Sequence, residues 1–552
     1  MRGLAVIAVL LAAGCSLPIP EGVQVSRGRP VADSNPGDIQ VLPPGPRPGA
    51  GAEAIVRGFL GAESSPEGSH AIARRFLAPG TRWADDEVRV YDPASLRLVG
   101  TSVGTVEASF TQLARIDREG LHVALPRTTV TESYQLAKDR LGEWRITAPP
   151  PGVRLTPADR ERSFPARRLY FTRPAGGSFR VVPDQVLLPA GGPPGQVEIR
   201  RLLRGPSASI AGSVTTAFPS RTRLLSVDNH GSGTYDVMLS PELRRATPDQ
   251  RRELSAQLVW TLRSLDPRFR GMRLRAGPDL LAVPGEGEVQ RHDDWDAFDP
   301  EGIKPGPAYF LAAGRLRTYA GGRDAPVEGA LRTAVLDRVA VSPDRMQVAL
   351  LQTRRGVVTV RRGPLDARAL PVVAQAPGLS APSWGSGERG LWLLDSAGQV
   401  LLLDPRGRRF RVPVEAIEGP LTSFVVSRDG TRAALVQNGS LYVGRVAGDG
   451  AGLVILAVRK VTHDVRAITE VVWRDPTTLV VLGQLSQAFV PVVISVDGSS
   501  VRPLPVAGLP ARPGQLASSS LGTIVTGAGR LYLLGTLGFR AGPVGRAPAY
   551  PG

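Results

Sequence analysis

A repeat in the second half of the chain restricts its fold more than any other sequence feature. Short apolar segments that end in Ser or Trp are each followed by a polar turn and by further apolar strands. The equivalent positions are Ser342, Trp384, Ser427 and Trp473, which lie 42, 43 and 46 residues apart, with a fainter copy near Ser518. This period is typical of a propeller blade built from four short strands. We therefore predict an all-β propeller of five or six blades over residues 307–545.

The turns of this repeat have a structural role. Ser-Pro-Asp at 342–344 and Arg-Asp-Gly at 428–430 consist of turn-forming residues, so we expect them to connect the first two strands of a blade. The hairpin Tyr309 to Tyr319 is predicted to close the ring against the last blade, because closure hides two strand edges that would otherwise be open to pairing.

The first 14 residues predict a signal peptide. Arg2 precedes the apolar run Leu4 to Ala13, whose ten residues are about half of what a membrane-spanning helix needs. Gly14 and Cys15 follow, and the segment 10–15 resembles the bacterial lipobox, with Ala12 where that pattern prefers Leu. We predict that Cys15 carries a diacylglyceryl group and a fatty acid such as palmitate, which would anchor the chain firmly. The alternative is a secretory signal peptide with an incidental Cys.

Length and composition indicate several folded domains outside the membrane anchor. A chain of 552 residues exceeds what one hydrophobic core usually serves, and 42% apolar with 21% charged residues is typical of globular proteins. Cys15 is the only cysteine, which excludes an internal disulfide and a structural zinc site made of thiolates. Residues 15–51 are rich in Pro and Gly and are predicted to form a tether.

Residues 52–160 are predicted to form a small α+β domain of the NTF2-like kind. Ile55, Val56, Phe59 and Leu60 recur at helical spacing, and a second helix with Ile72, Phe76 and Leu77 is expected behind Ser69 as its N-cap. Strands are predicted at 87–91, 121–125, 133–136 and 144–146.

A second α+β domain is predicted over residues 168–283. Strands at 168–171 and 181–188 precede a short helix at 196–203 that ends before Gly205 and Pro206. The longest helix is marked by Thr247 as N-cap, Pro248 at its first position and Gln250 in the capping-box position. Its leucines Leu254, Leu258, Leu262 and Leu265 form one core-facing stripe. Residues 284–306 are predicted to be a linker.

The net charge of +17 does not indicate a nucleic-acid partner. Nearly all the positive charge is Arg spread along the chain, acidic residues are interleaved with it, and no aromatic and basic platform for single strands is present. We interpret these Arg residues as part of a solvated surface. The alternative is that they form a basic face that binds an anionic membrane or a cell-wall polymer.

The sequence predicts no catalytic, cofactor-binding or metal-binding residue. Five His residues are scattered over different predicted domains, whereas catalysis needs convergent groups. The cluster from His292 to Asp296 could supply oxygen ligands to a cation but is interpreted as a solvated linker. Asp228 to His230, before Gly231, is interpreted as a hairpin turn. Propellers do include lyases and hydrolases, so an enzyme stays an alternative.

The order of these features resembles the LpqB family of actinobacterial lipoproteins. The lipobox, the tether, the segment Glu53 to Leu60, the unit from Arg168 to Ala282 and the terminal propeller follow one another as in that family. The middle unit resembles a GerMN domain through 168–171, 202–206 and Trp260-Thr261-Leu262. The resemblance implies a partner, the extracytoplasmic sensor domain of the histidine kinase MtrB, and through it the response regulator MtrA.

We therefore expect a non-enzymatic lipoprotein on the extracytoplasmic face of the cell membrane. It would act as an accessory partner of an MtrAB-type two-component system and influence envelope homeostasis and division. The alternative is a receptor for an envelope ligand such as peptidoglycan or an anionic glycan.

Overall fold

The computed structural model describes residues 43–173, 181–229, 231–302, 304, 306–328, 336–385 and 390–552. The predicted signal peptide, Cys15 and the tether up to residue 42 lie outside the described residues. The described chain folds into two α+β domains followed by an all-β propeller, which confirms the predicted order of domain types.

The N-terminal domain begins with two helices, α1 (Ala52–Ala62) and α2 (Glu67–Arg74). The four apolar residues that predicted α1 are all buried, as expected for the core face of an amphipathic helix. The prediction of Ser69 as N-cap was wrong. Pro66 precedes α2, and Ser69 lies inside it with φ +55°, in a left-handed turn that it shares with Gly68 and His70.

These helices pack on a six-stranded sheet of order β5-β4-β3-β1-β6, with β2 paired to β3. Two segments predicted as separate strands, 121–125 and 133–136, belong to one long strand that pairs with β3 along most of its length. A short helix, α3 (Pro157–Ser163), follows the sheet. The strands are β1 (Val88–Tyr91), β2 (Arg97–Ser102), β3 (Thr105–Ile116), β4 (His122–Lys138), β5 (Trp144–Ala148) and β6 (Val153–Leu155).

The middle domain contains a hairpin, a four-stranded sheet and the two predicted helices, α4 (Gln196–Leu203) and α5 (Pro248–Leu265). The Thr247 side chain accepts from the Gln250 backbone N–H, and the Gln250 side chain caps Thr247 in return, so the predicted capping box is confirmed. The strands are β7 (Ala166–Thr172) and β8 (Val181–Leu187) in the hairpin, and β9 (Leu224–Asp228), β10 (Thr234–Leu239), β11 (Gly271–Ala276) and β12 (Asp279–Leu280) in the sheet.

The segment between the middle domain and the propeller is not the solvated linker that we predicted for its acidic cluster. A 3₁₀ helix spans His292–Phe298, and its Trp295 is fully buried in the core of the middle domain together with Phe298. The two aromatic rings pack edge to face with their centroids 5.6 Å apart. This apolar burial holds residues 292–298 on the middle domain.

Within the described residues the propeller has six four-stranded blades, the upper of the two predicted numbers. The predicted ring closure is confirmed, because β13 of the first hairpin pairs with the last strand of the chain, β36, which completes blade 1. Blade 1 contains β13 (Ala308–Ala312), β14 (Arg315–Ala320), β15 (Arg323–Pro326) and β36 (Arg546–Ala549). Blade 2 contains β16 (Arg338–Val341), β17 (Gln347–Arg354), β18 (Val357–Pro364) and β19 (Val372–Pro377), and blade 3 contains β20 (Ser380–Trp384), β21 (Leu391–Leu394), β22 (Val400–Leu403) and β23 (Arg409–Arg411).

The second half of the ring repeats this plan. Blade 4 contains β24 (Ser423–Val426), β25 (Arg432–Gln437), β26 (Ser440–Ala447) and β27 (Val454–Lys460). Blade 5 contains β28 (Val465–Asp475), β29 (Thr478–Leu485), β30 (Ala488–Ser495) and β31 (Val501–Pro503). Blade 6 contains β32 (Leu516–Ser519), β33 (Gly522–Gly527), β34 (Arg530–Leu534) and β35 (Phe539–Val544).

The repeated Trp positions join neighbouring blades. Trp384 of blade 3 donates its Nε1–H to the Ala340 carbonyl of blade 2 at 3.1 Å, and Trp473 of blade 5 donates to the Val425 carbonyl of blade 4 at 3.3 Å. Each acceptor lies two residues before the equivalent position of the preceding blade. The sequence repeat therefore reflects a contact that recurs between adjacent inner strands.

The predicted turns are also confirmed. In blade 4 the Ser427 hydroxyl donates to Asp429 at 2.6 Å, and the same carboxylate accepts from the Thr431 backbone N–H at 2.8 Å. Blade 2 repeats this arrangement with Ser342 and Asp344. These side chains satisfy backbone groups that no strand pairs.

Candidate functional site

The two α+β domains dock on the propeller at turns between the first and second strands and between the third and fourth strands of its blades, and on the outer strands of blades 4 and 5. We call this side of the ring the turn face; it includes Arg432, Thr477 and Ser520. The contacts join residues that are more than 200 positions apart, so they are set by domain docking and not by local sequence. Their partners lie in both preceding domains and in the segment 292–302.

Two buried guanidinium groups carry the docking. Arg432 is fully buried at the start of β25 and donates to the Pro183 carbonyl of the middle domain at 2.6 Å. Arg459 of β27 donates to the His122 carbonyl of the N-terminal domain at 2.7 Å. Burial lowers the pKa of both Arg side chains, opposed by Asp429 beside Arg432 and by Asp497 beside Arg459. Because a buried cation that loses its partner is costly, both hydrogen bonds favour the docked arrangement.

A histidine completes this junction of the three domains. The His122 Nδ1 lies 2.9 Å from the Asp497 backbone oxygen, in the turn between β30 and β31. Burial lowers the pKa of His122, although Asp497 opposes the shift. Burial would raise the pKa of Asp497, but hydrogen bonds from the Ser499 backbone N–H and the Ser495 hydroxyl lower it overall. The junction therefore holds a carboxylate beside an imidazole that is neutral at pH 7.

An axial chamber of about 360 Å³ lies between the middle domain and the turn face. Its volume falls at the low end of the range for small-molecule sites, about 300–1,000 Å³. The lining residues are Arg168, Tyr170, Pro183, Trp260, Asp299, Pro300, Glu301, Arg474, Asp475, Pro476, Thr477 and Ser520.

The chamber combines an aromatic wall with charges of both signs. The rings of Tyr170 and Trp260 lie 6.2 Å apart, and the Trp260 Nε1 has no hydrogen-bond partner among the described residues. Arg168 and Asp475 approach only to 4.0 Å. Burial raises the pKa of Tyr170 to about 12, against the charge of Arg168, so the phenol stays a donor at neutral pH. Such a chamber offers hydrogen bonds to a small polar ligand.

An ion pair crosses the propeller channel. Arg338 begins the inner strand of blade 2 and Glu470 lies in the middle of the inner strand of blade 5, three blades away in a ring of six. The Arg338 Nη2 lies 2.7 Å from the Glu470 Oε1. The channel is thus spanned by this pair.

The N-terminal domain has a groove of about 870 Å³, which is larger than the chamber. It runs beside α1 and is bordered by the chain segment 43–52, by Phe76 and by the β2–β3 hairpin at Gly100 and Thr105. Arg47 and Arg57 lie along it. The groove therefore opens where the chain from the tether enters the domain.

A buried charge cluster lies in the same domain, away from this groove. The Arg154 side chain pairs with Glu132 at 2.7 Å and with Glu63 at 3.5 Å, and all three groups are buried. Burial, together with the charge of Glu132, raises the pKa of Glu63 to about 8, although Arg154 opposes this shift. The cluster ties α1, β4 and β6 together and is structural.

The candidate residues from sequence are distributed as follows. Cys15 lies outside the described residues, as does His230. Asn229 accepts from the Gly231 backbone N–H at 3.1 Å in the turn between β9 and β10, so the predicted hairpin turn is confirmed. In the cluster at 292–296, Asp294 caps Arg291 and His292 pairs with Asp293. Within the described ranges, His, Cys, Asp and Glu nowhere group as three potential metal ligands, and no helix is long and apolar enough to cross a membrane.

The residues that build the junction and the chamber are not predicted from the sequence. One signal was available: Arg432 stands directly before the apolar run Ala433 to Val436, and a charged residue that begins a buried strand needs a partner. The chamber residues Tyr170 and Trp260 had already been identified as strand and helix residues. Their role could not be predicted, because it depends on how two domains dock.

Comparison with known proteins gives matches along most of the chain. The family described as "Lipoprotein LpqB, N-terminal domain" matches residues 45–161, "Sporulation and spore germination" matches 168–275, and "Lipoprotein LpqB beta-propeller domain" matches 314–551. Lipoprotein LpqB of Thermobifida fusca is 29% identical over 99% of this chain and 98% of its own length. Lipoprotein LpqB of Cutibacterium acnes is 26% identical over 95% of this chain and 92% of its own.

Among solved structures, TolB from Acinetobacter baumannii is similar with a TM-score of 0.35 and 17% identity, over 49% of this chain and 74% of that one. A chain of a nidogen–laminin complex also has a TM-score of 0.35, with 11% identity over 44% of this chain and 97% of its own.

Proposed function

Because this chain belongs to the LpqB family of lipoproteins, we propose that an acylated Cys15 holds it on the extracytoplasmic face of the cell membrane, where its docked domains bind the sensor domain of an MtrAB-type histidine kinase. The family is a lipoprotein family with a propeller domain and is not a known enzyme family. In this proposal the protein modulates the kinase by surface complementarity, and so influences envelope homeostasis and division.

The docking of both α+β domains on the turn face is the observation that carries this proposal. Arg432 and Arg459 join all three domains through a buried and a partly buried hydrogen bond, so the domains present one composite surface. A partner that contacts more than one domain would then bind a preorganised surface, which lowers the entropic cost of association. The single anchor would concentrate this surface in the plane of the membrane that also holds the kinase.

Binding to the kinase is tested with both full-length proteins in lipid nanodiscs. We expect saturable binding of the lipoprotein to the kinase, and weaker binding by Arg459→Met, which disrupts the junction. Arg512→Met alters an exposed propeller position and serves as the matched control. Absence of binding by the wild-type pair would overturn the kinase proposal, and equal binding by Arg459→Met would show that the partner contacts a single domain.

A second candidate function, a receptor for an envelope glycan, is favoured by the axial chamber. Tyr170 and Trp260 offer an aromatic wall to the apolar face of a sugar ring, while Arg168, Asp299 and Asp475 offer donors and acceptors to hydroxyl groups. The chamber lining contains more carboxylates than guanidinium groups, which disfavours a simple anion as the ligand.

Titration calorimetry with a soluble peptidoglycan fragment tests this second function. The protein is kept in a detergent without a sugar headgroup. We expect Asp475→Asn to weaken the binding and Asp366→Asn, an exposed position in blade 2, to leave it unchanged. Wild-type protein that releases no heat with the fragment would exclude the chamber as a glycan site.

A further inference from the structure

We infer that one end of the N-terminal domain is a membrane-contact face that binds anionic lipid directly, in addition to the lipid anchor. The face consists of two neighbouring hairpin turns with Val103 and Leu141 at their tips and with Lys138 and Arg140 beside them; we call it the tip face. This inference rests on the membrane anchorage at Cys15 and does not depend on the kinase partner.

Val103 and Leu141 are the most exposed large apolar side chains of the N-terminal domain. Val103 is 97% exposed in the β2–β3 turn, and Leu141 is 87% exposed in the β4–β5 turn. The turns are neighbours, since the Leu136 backbone N–H donates to the Gly104 carbonyl at 2.7 Å. Single exposed apolar residues are ordinary on protein surfaces, but two on adjacent turn tips form a surface suited to insertion between lipid headgroups.

The charges beside the tips suit an anionic surface. Lys138 and Arg140 are exposed, and the Lys138 ammonium lies over the Trp144 ring at 5.5 Å. The bordering carboxylates are engaged by the protein itself. Asp139 accepts two backbone N–H groups of its own turn and lies 3.5 Å from Arg145.

Glu143 and Glu53 are engaged in the same way. Glu143 accepts from the Gly49 backbone N–H at 2.8 Å, and Glu53 accepts from the Gly100 N–H at 2.9 Å. These bonds hold the two carboxylates against the backbone of the domain, whereas neither Lys138 nor Arg140 forms an ion pair with another described residue. Near an anionic membrane each of these cations contributes about a fivefold gain in affinity.

The position of the tip face in the molecule also fits a membrane. The Gly49–Glu143 hydrogen bond fixes the chain that comes from Cys15 at this end of the domain. The propeller docks at the opposite end. Strand β3 runs 12 residues from Thr105, beside the tips, to Ile116, which pairs with the docking residue His122. At 3.3–3.4 Å per residue, the strand separates the two ends by roughly 40 Å. Contact of the tips with lipid would thus hold the propeller away from the membrane.

Vesicle co-sedimentation tests the inference without the anchor. The mature chain from residue 15, carrying Cys15→Ser, is mixed with vesicles of phosphatidylcholine alone or of phosphatidylcholine with phosphatidylglycerol. We expect binding to the phosphatidylglycerol vesicles that weakens with salt. The double variant Val103→Ser with Leu141→Ser is expected to lower the affinity at least fivefold. Lys138→Gln with Arg140→Gln is expected to remove the preference for phosphatidylglycerol.

A matched control carries Leu521→Ser and Leu537→Ser, which remove two exposed leucines from the propeller and should leave binding unchanged. All substitutions lie at exposed turn or strand-end positions, and equal melting temperatures verify that the variants fold. Wild-type-level binding by the Val103/Leu141 variant, an equal loss in the control, or no binding by the Cys15→Ser chain would each overturn the inference. Fatty-acid labelling of the unmodified chain tests the anchor separately, so the two failures are distinguishable.

Discussion

Arg338 and Glu470 form an ion pair across the propeller channel, with 2.7 Å between the guanidinium Nη2 and the carboxylate oxygen. The two residues are 132 positions apart and belong to opposite blades. Their pairing joins the two sides of the ring. Because both side chains are partly exposed, solvent screens the attraction.

We therefore expect a small contribution to stability from this pair. A double-mutant cycle with Arg338→Met and Glu470→Gln, followed by urea unfolding, should give a coupling energy of about 1 kcal/mol or less. The coupling should decrease further at high salt. A coupling several times larger would mean that the pair holds the ring closed, in contradiction to this expectation.

The hydrogen bonds between blades should contribute more to the free energy of unfolding than this ion pair does. Trp384→Phe removes the Nε1–H that Ala340 accepts, and it leaves that carbonyl without its donor. Trp392→Phe is the matched control, since Trp392 is fully buried and its Nε1 has no partner among the described residues. Both variants lose similar ring volume, so the difference between their free energies of unfolding reports the hydrogen bond. We expect Trp384→Phe to be less stable by about 1 kcal/mol, and equal stabilities would contradict this.

The propeller could be predicted because its repeated residues make repeated contacts. Trp384 and Trp473 make the same hydrogen bond to the preceding blade, and Ser342 and Ser427 bind equivalent turns within their own blades, so the period in the sequence follows from the period of the structure. The capped helix α5 was equally predictable, since Thr247, Pro248 and Gln250 act locally. Both successes rest on interactions whose partners are close in sequence or recur regularly.

The long β3–β4 hairpin and the domain docking were harder to predict from the sequence. In β4 the exposed stretch around Pro126 and Arg127 hides the continuity of the strand, because its middle lacks an apolar alternation. Trp295 looked like part of an acidic linker, and only the core of the middle domain explains it. The chamber and the junction could not be predicted at all, since their residues converge from domains whose relative placement no local pattern encodes.

The buried Glu63 should make stability depend on pH in the N-terminal domain. Its pKa is raised to about 8 in the folded state, whereas the unfolded side chain titrates near 4.5. Between these values the unfolded chain gives up a proton that the folded chain keeps, so stability falls as pH rises. Glu63→Gln should flatten this slope and stabilise the protein at pH 7 by ~1–3 kcal/mol. Urea unfolding from pH 5 to 8 checks this, with the exposed Glu119→Gln as control; a destabilised Glu63→Gln at pH 7 would show that the carboxylate is ionised beside Arg154.

His122 should give the opposite dependence at the junction of the three domains. Burial lowers the pKa of His122 below the ordinary value of 6.5. When the pH falls below 6.5, His122 therefore becomes protonated in the unfolded chain before it does in the folded chain. The contribution of this residue is fully present above pH 6.5 and is lost as the pH decreases. Because His122 lies against Asp497 of the propeller, acid should loosen the docking before it unfolds the blades. Hydrogen exchange at pH 7.5 and pH 5 checks this: backbone amides of the turn at 497–499 should lose protection at pH 5, while those of β25 should not, and His122→Gln should abolish the difference. Unchanged protection at 497–499 in the wild-type protein would mean that the imidazole does not control the docking.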